Sequence, residues 1–515
     1  MFRTILTRAI ALSATLLLAS ALAQEPRYGG TLNVAVSEPI PSLDMQRAIT
    51  PGIVNVLINV YEPLVTKDFG GTVLPALAHS WDVSDDQLAY TFYLLEGVKF
   101  HDGSDMTADD VVASVRRMAH VGGTSWETRD IESVEKVDDY TVRINLSQPF
   151  TGLIDRLGTA PGGFGIMPEE IATRLFDGEV TGADVVGTGP YMLGEYADQQ
   201  WWELEKFEDY HGQFTGPSDH KSGERPAYLD SIRVTRVAEA GTRLAGLLAG
   251  DYDFVDDLSG DDLPLLENNP DLGFQIMPAA LGWYVKFNAV EGPMANETLR
   301  RAVRSAIDPE EVMAGFGDPR LWELNLYPRF HTSSPYYLDD NAARYYPNDL
   351  DLARSLVEQS GYDGEPIRFY ASRDLAGWYV QAIGMMPALE AIGLNVELIV
   401  VDRAAQLDIT RDPANWELKT SYSTPIRRAG VLGFHGVHRR GDRWNWSDAE
   451  HQYWENVLFR DLDRRDDAIR RLVEIELERA GQIWFGHTAS LRGFQDGVHG
   501  APNSHYLTFW TMWKE

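Results

Sequence analysis

Cysteine does not occur among the 515 residues, so disulfide frameworks, thiolate metal sites, iron–sulfur clusters and cysteine nucleophiles are excluded together. Lysine is scarce too, at 8 of the 45 basic residues, the rest being Arg. Basic residues are outnumbered by 77 acidic ones, for a formal charge of −32. A field of that sign repels phosphate backbones and argues against a nucleic-acid partner. The phosphate-cradling G-x-x-x-x-G-K-[ST], the nucleophile elbow G-x-S-x-G, the zinc motif H-E-x-x-H and the dinucleotide fingerprint G-x-G-x-x-G are all missing. No cofactor is therefore called for. No apolar run reaches the ~20 residues of a membrane span.

What is present begins with Met1–Ala23. Arg3 and Arg8 supply a positive start, Ala9–Leu18 an apolar run, and Ala21-Leu22-Ala23 a small-x-small cleavage site. These are the parts of a secretory signal peptide, and they predict an exported, periplasmic chain. The remainder has ordinary globular composition, 44% hydrophobic and 24% charged, and is long enough for roughly three domains.

Short strands alternate with helices, the pattern of an α/β protein. Leu32, Val34 and Val36 fall on one face of a strand over Thr31–Ser37. Val142, Ile144 and Leu146 do so over Tyr140–Leu146, and Val396, Leu398 and Val400 over Asn395–Val400. Thr107 with Asp110 three residues on reads as a capping box opening a helix that buries Val111, Val115 and Met118. Further helices are predicted after Asn296, burying Leu299, Val303 and Ile307, and over Asp466–Arg479. Gly187–Pro190 and Asn288–Pro293 read either as crossings between lobes or as tight turns.

Catalytic chemistry is hard to find. Adjacent aspartates such as Asp256-Asp257 and Asp466-Asp467 read as solvated surface, because a carboxylate pair that hydrolyses glycosides spans a cleft and is distant in sequence. His435 and His438 lie at i, i+3, but two imidazoles rarely hold a metal and no carboxylate accompanies them. The tryptophan pairs Trp201-Trp202 and Trp444-Asn445-Trp446 each offer one ring to a core. Arg427, Arg428, Arg439, Arg440 and Arg443 stand out in so acidic a chain, beside Tyr422, Phe434, Trp444 and Trp446. They form either an anion-recognising cleft wall or a surface loop whose arginines pair with the plentiful acids.

An ordered series of segments carries a family resemblance: Tyr28-Gly-Gly-Thr-Leu-Asn-Val-Ala-Val36, Ser37-Glu-Pro-Ile-Pro-Ser-Leu-Asp44, Val60-Tyr-Glu-Pro-Leu-Val65, Phe92-Tyr-Leu-Leu-Glu-Gly-Val-Lys-Phe-His-Asp-Gly103, Gly187-Thr-Gly-Pro-Tyr191 and Val285-Lys-Phe-Asn288. The chain resembles the family 5 extracellular solute-binding proteins, the peptide-, nickel- and opine-binding subunits of ABC importers. The resemblance implies a two-lobed periplasmic binding protein fold, type II of the peptide-binding cluster, with an extra inserted α/β domain. It places lobe I over 24–57, 186–278 and 488–515, the inserted domain over 58–185 and lobe II over 279–487. A monomer is expected, with a solute between the lobes and an inner-membrane permease as partner.

The resemblance puts ligand at the loop Ser37–Arg47 and at Ser421–Thr424. With the basic segment, the candidate binding residues are Ser37, Glu38, Leu43, Tyr422, Ser423, Arg427, Arg428 and Trp444. The aspartate with which peptide binders of this family hold an α-ammonium has no counterpart in Ser421-Tyr-Ser-Thr-Pro-Ile-Arg-Arg428. The expected solute is peptide-like, opine-like or saccharide-like, with an acidic group allowed. Two alternatives stand beside this reading: an exported hydrolase using Glu38 and Asp44, and a metal-chelate carrier using His435 or His438.

Overall fold

The computed structural model describes residues 25–47, 50–121, 128–158, 165–326, 330, 332, 337, 342–423 and 449–515. The signal segment and the candidates Arg427, Arg428, Trp444, His435 and His438 lie outside them.

Fifteen strands and six helices position the site. The strands are β1 (Thr31–Val36), β2 (Ala78–Val83), β3 (Ala89–Leu94), β4 (Ile131–Asp138), β5 (Thr141–Leu146), β6 (Tyr191–Ala197), β7 (Trp201–Lys206), β8 (Ser231–Arg236), β9 (Phe254–Leu258), β10 (Leu272–Phe287), β11 (Trp322–Leu324), β12 (Ile367–Ala371), β13 (Val396–Val400), β14 (Leu418–Ser423) and β15 (Gln482–Gln495). The helices are α1 (Ala108–Val121), α2 (Ala240–Ala249), α3 (Glu297–Ala306), α4 (Ala376–Ala391), α5 (Arg403–Ile409) and α6 (Arg465–Glu478).

One sheet runs in the order β13-β12-β14-β10-β15-β9-β1-β8-β7-β6, with β11 on β15. At one end β9, β1 and β8 are parallel, and at the other so are β14, β12 and β13. The two ends meet through β10 and β15, a long antiparallel pair whose register runs from Leu272–Gln495 to Lys286–Gln482. That register breaks between Met277 and Leu281, and Ala279 there has φ +53°, a left-handed conformation that a non-glycine residue seldom adopts. Asn288 only ends β10 in a turn, giving its side-chain amide to the carbonyls of Pro413 and Trp416. The tight-turn reading of Asn288–Pro293 is the correct one.

Inward alternation in β1 and β5 is as expected: Leu32, Val34, Val36, Val142, Ile144 and Leu146 are all buried. In β13 it fails at Val400, 41% exposed, because β13 is the edge strand and little covers its end. Helix α3 starts on Asn296, whose side chain accepts the Thr298 and Leu299 amides, and buries Leu299 and Val303. At α1 only half of the capping box forms. Asp110 accepts the Thr107 amide at 2.7 Å, while the Thr107 hydroxyl donates to the same carboxylate.

A second sheet, β2-β3-β5-β4, belongs to the insertion and packs on α1 around Phe92, Phe100, Val111 and Ile144. Ile469, Leu472 and Val473 of α6 join that core, although the sequence division assigns them to lobe II. Gly187 and Gly189 pass against the segment Asn59–Val60. A Cβ on either would fall within 2.5 Å of the backbone carbonyl of Val60 or Asn59, so the two crossing segments touch only because these residues are glycines.

His101 closes this junction. The Gly187 amide donates to its Nδ1, which leaves the proton on Nε2 to donate to the Gly189 carbonyl at 2.9 Å. Burial pushes its pKa down to about 4. The native ring stays neutral where the unfolded one, with an ordinary value near 6.5, is charged. Stability is therefore complete above pH 6.5 and falls as the pH drops toward 4, by at most about 3 kcal/mol from this group. His101→Gln should flatten the melting temperature across that window; an unchanged acid limb would assign the loss elsewhere.

Candidate functional site

The register places the carboxyl ends of both parallel sets against one stretch of β10 and β15. Leu258, the last residue of β9, pairs with Leu491. Ser423, the end of β14, pairs with Gly282, which in turn pairs with His487. Four residues of β15 separate the two sets, about 13 Å of strand. Carboxyl ends of parallel strands, followed by helices, are where open α/β sheets bind ligands. Here two such edges face each other across the segment where β10 loses register.

On the β14 side the wall is aromatic. The Tyr422 ring lies 6.2 Å from Trp283 and 6.1 Å from Trp378, and Trp283 lies 5.2 Å from Phe316. Trp283 is fixed at its indole N–H and at its six-membered ring. Its Nε1 donates to Thr488 Oγ1 at 2.8 Å, and Gly377 sits so close that a Cβ there would be 2.4 Å from the ring. The Arg403 guanidinium, at the start of α5, donates to the Tyr422 hydroxyl at 3.2 Å. Ser423 Oγ donates to the Gly282 carbonyl at 3.4 Å.

On the β1 side the edge is acidic. Ser37 Oγ donates to Asp257 Oδ2 at 2.9 Å. Asp257 has φ +57°, and its side chain is 61% exposed. Its backbone carbonyl, with those of Asp256, Val237 and Ala238, is held by the buried Arg243 guanidinium. Asp256 pairs with Arg492 Nε at 2.9 Å. The surrounding protein and then the Asp256 charge push the Asp257 carboxyl above its ordinary value, although water still reaches it.

The candidates separate accordingly. Ser37, Tyr422 and Ser423 lie at the facing edges, and Glu38 follows Ser37 as an exposed residue. Leu43 packs with Ile40, Met45 and Ile53. Asp44, a catalytic candidate of the hydrolase alternative, is fully buried in an ion pair with Arg117 at 2.5 Å. Asp257 is exposed, as expected of solvated surface, while Asp256 is half-buried against Arg492. Arg403, Trp378 and Trp283 were not singled out, since nothing local distinguishes them from other arginines and tryptophans. Among the described residues no group of three His, Asp or Glu could hold a metal ion. A cavity of about 300 Å³ between the insertion and the loop carrying Phe214 and Ser222 is lined by none of these candidates.

Two facing lobes with a polar and aromatic interior define a solute-trapping protein. Residues 72–425 match the model for bacterial extracellular solute-binding proteins, family 5 (middle region), and the chain belongs to that family. It is 26% identical over 504 residues to a probable peptide ABC transporter periplasmic-binding protein of Sinorhizobium fredii, covering 94% of this chain and 92% of the relative. It is 27% identical over 387 residues to the glutathione-binding protein of Pectobacterium atrosepticum, covering 73% and 70%. The fold matches the ABC transporter substrate-binding protein CtaP of Listeria monocytogenes with a TM-score of 0.81 at 20% identity, over 95% of this chain and 100% of that one. The chain is the substrate-binding component of an ABC importer, with the two-lobed fold of such proteins. No helix among the described residues is long and apolar enough to cross a membrane.

Proposed function

We propose that the mature chain captures a peptide-like solute, or a related opine, oligosaccharide or acidic metabolite, between its lobes and hands it to an inner-membrane permease. The observation that carries this reading is the pair of facing strand edges, one aromatic around Tyr422 and one polar around Ser37 and Asp257. Ser37 and Glu38 contact the solute from lobe I, Tyr422 and Ser423 from lobe II. The relatives named for peptide and glutathione binding favour the peptide-like class.

Lobe I comprises 24–57, 186–278 and 488–515, with 58–185 inserted and 279–487 as lobe II. The left-handed Ala279 and the lost register beside it support a flexible boundary at 278/279. Solute contacts made by both edges at once exist only in the closed form, and that difference drives closure. The signal segment is removed after Ala23, and the protein works as a periplasmic monomer.

Tyr422→Ala should weaken the co-purified solute about thirtyfold, the loss typical of an aromatic anchor in a desolvated pocket. Native mass spectrometry identifies that solute, and calorimetry on the variant measures the loss. Unchanged affinity would remove Tyr422 from the site. Recovery of the solute chemically altered after incubation would favour the exported hydrolase over the carrier.

A further inference from the structure

We infer that Arg403 is the anion anchor of the cleft and selects solutes bearing a free carboxylate. The inference rests on the solute-binding reading above and deepens it. Arg403 is the first residue of α5, directly after the carboxyl end of β13. Its side chain is held at the cleft edge by aromatic neighbours. Nη2 donates to the Tyr422 hydroxyl at 3.2 Å, and the guanidinium carbon lies 5.9 Å from the Tyr422 ring and 6.0 Å from the Trp378 ring. Those distances are the outer limit of a cation–π contact. They orient the group between two rings without covering its faces.

The guanidinium has no carboxylate partner among the described residues. This is not for want of acids nearby. Asp374 Oδ2 accepts the Arg403 backbone amide at 2.7 Å, and Asp402 Oδ1 accepts the Ala405 amide at 2.8 Å. Both carboxylates are turned to the backbone. In the same half of the molecule a structural arginine behaves differently: Arg368 grips Glu417 with two nitrogens, at 2.9 and 2.6 Å. Of the five N–H donors of Arg403, one is used by Tyr422, which leaves a parallel pair for a carboxylate.

Helix α4 begins at Ala376 with Leu375 as N-cap and no capping side chain. Asp374, the residue before that cap, is the carboxylate at this helix end, and its Oδ2 is taken by the Arg403 amide. The Trp378 indole N–H, on a side chain 3% exposed, has no partner among the described residues. Arg403 is exposed in this structure, and a solute acid seated on it would add charge-assisted hydrogen bonds that a neutral isostere cannot match once the lobes close over it.

The test uses the solute-free mature protein with two probes, a pool of alanine-rich tripeptides as free acids and the same pool as C-terminal amides. Calorimetry should show the free acids binding ten- to hundredfold more tightly than the amides. In Arg403→Gln the ratio should fall to about one, because the acids lose far more affinity than the amides. Amide binding that persists shows that the cleft is still formed. Arg403→Lys, which keeps the charge and loses the planar fork, should restore part of the preference. An acid preference that survives Arg403→Gln, or a wild-type protein that binds both pools equally, overturns the inference while leaving the solute-binding reading standing. Binding of neither pool removes the peptide-like reading and this inference with it.

Discussion

Glu62→Gln should lower stability by about 3–5 kcal/mol, the usual cost of leaving one member of a buried ion pair without its partner. Glu62 is fully buried where the chain enters the insertion, and its carboxylate collects four donors. Arg225 Nη1 reaches it at 2.7 Å, the Tyr210 hydroxyl at 2.8 Å, the Thr188 hydroxyl at 2.8 Å and His211 Nε2 at 3.1 Å. Burial alone would push the carboxyl up, but His211 and Arg225 overturn that and hold it below its ordinary value. Its contribution is therefore present above about pH 4.5 and fades as the pH falls below it. In the variant, Arg225 stays clamped between the Phe214 and Trp510 rings, each 4.6 Å away, with its charge uncompensated. The four donors come from the exit of the insertion and the 210–225 loop, and Trp510 belongs to the C-terminal tail. One lost charge thus loosens three junctions together. Scanning calorimetry should show a lower and broader transition. A loss under 1 kcal/mol would mean that water or rearrangement neutralises Arg225. Replacing both partners by apolar residues of similar volume should recover much of the deficit, because no buried charge remains.

Asp44→Asn should cost a similar amount and also impair solute retention. Asp44 Oδ2 meets Arg117 Nη2 at 2.5 Å, and Oδ1 accepts Arg117 Nη1 at 3.1 Å and the Gln46 amide at 3.1 Å. Both side chains are fully buried. Arg117 lies on α1 and Asp44 in the loop that begins at Ser37, so this pair fixes that loop to α1. The amide keeps one acceptor but removes the charge that offsets the guanidinium. The two variants are therefore distinguishable well below their melting temperatures. Asp44→Asn should release solute faster, whereas Glu62→Gln, remote from the facing edges, should retain it. Equal retention in both would detach the 37–47 loop from binding.

Much of the fold was legible because its signals are local. Alternation in Thr31–Val36 and Thr141–Leu146, the Asn296 cap and the helical spacing from Val111 to Met118 each depend on residues within a few positions. The site was legible only in part. Tyr422, Ser423 and Ser37 were found through family-like segments rather than through any local chemistry. The five arginines of 427–443 lie outside the described residues, while Arg403, which carries the anion-site inference, had no sequence signal at all. Its partner Tyr422 is nineteen residues away on another strand.

Order along the chain by itself determined the α/β class, the local strands and helices and the absence of thiol chemistry, since each follows from composition or short-range periodicity. Tertiary structure decided which edges face each other, that Asp257 is exposed while Asp44 is sealed, and that the Arg403 guanidinium meets aromatic rings. Those outcomes depend on strand pairing between residues tens to hundreds of positions apart. Topology sets that pairing, and no local pattern encodes it.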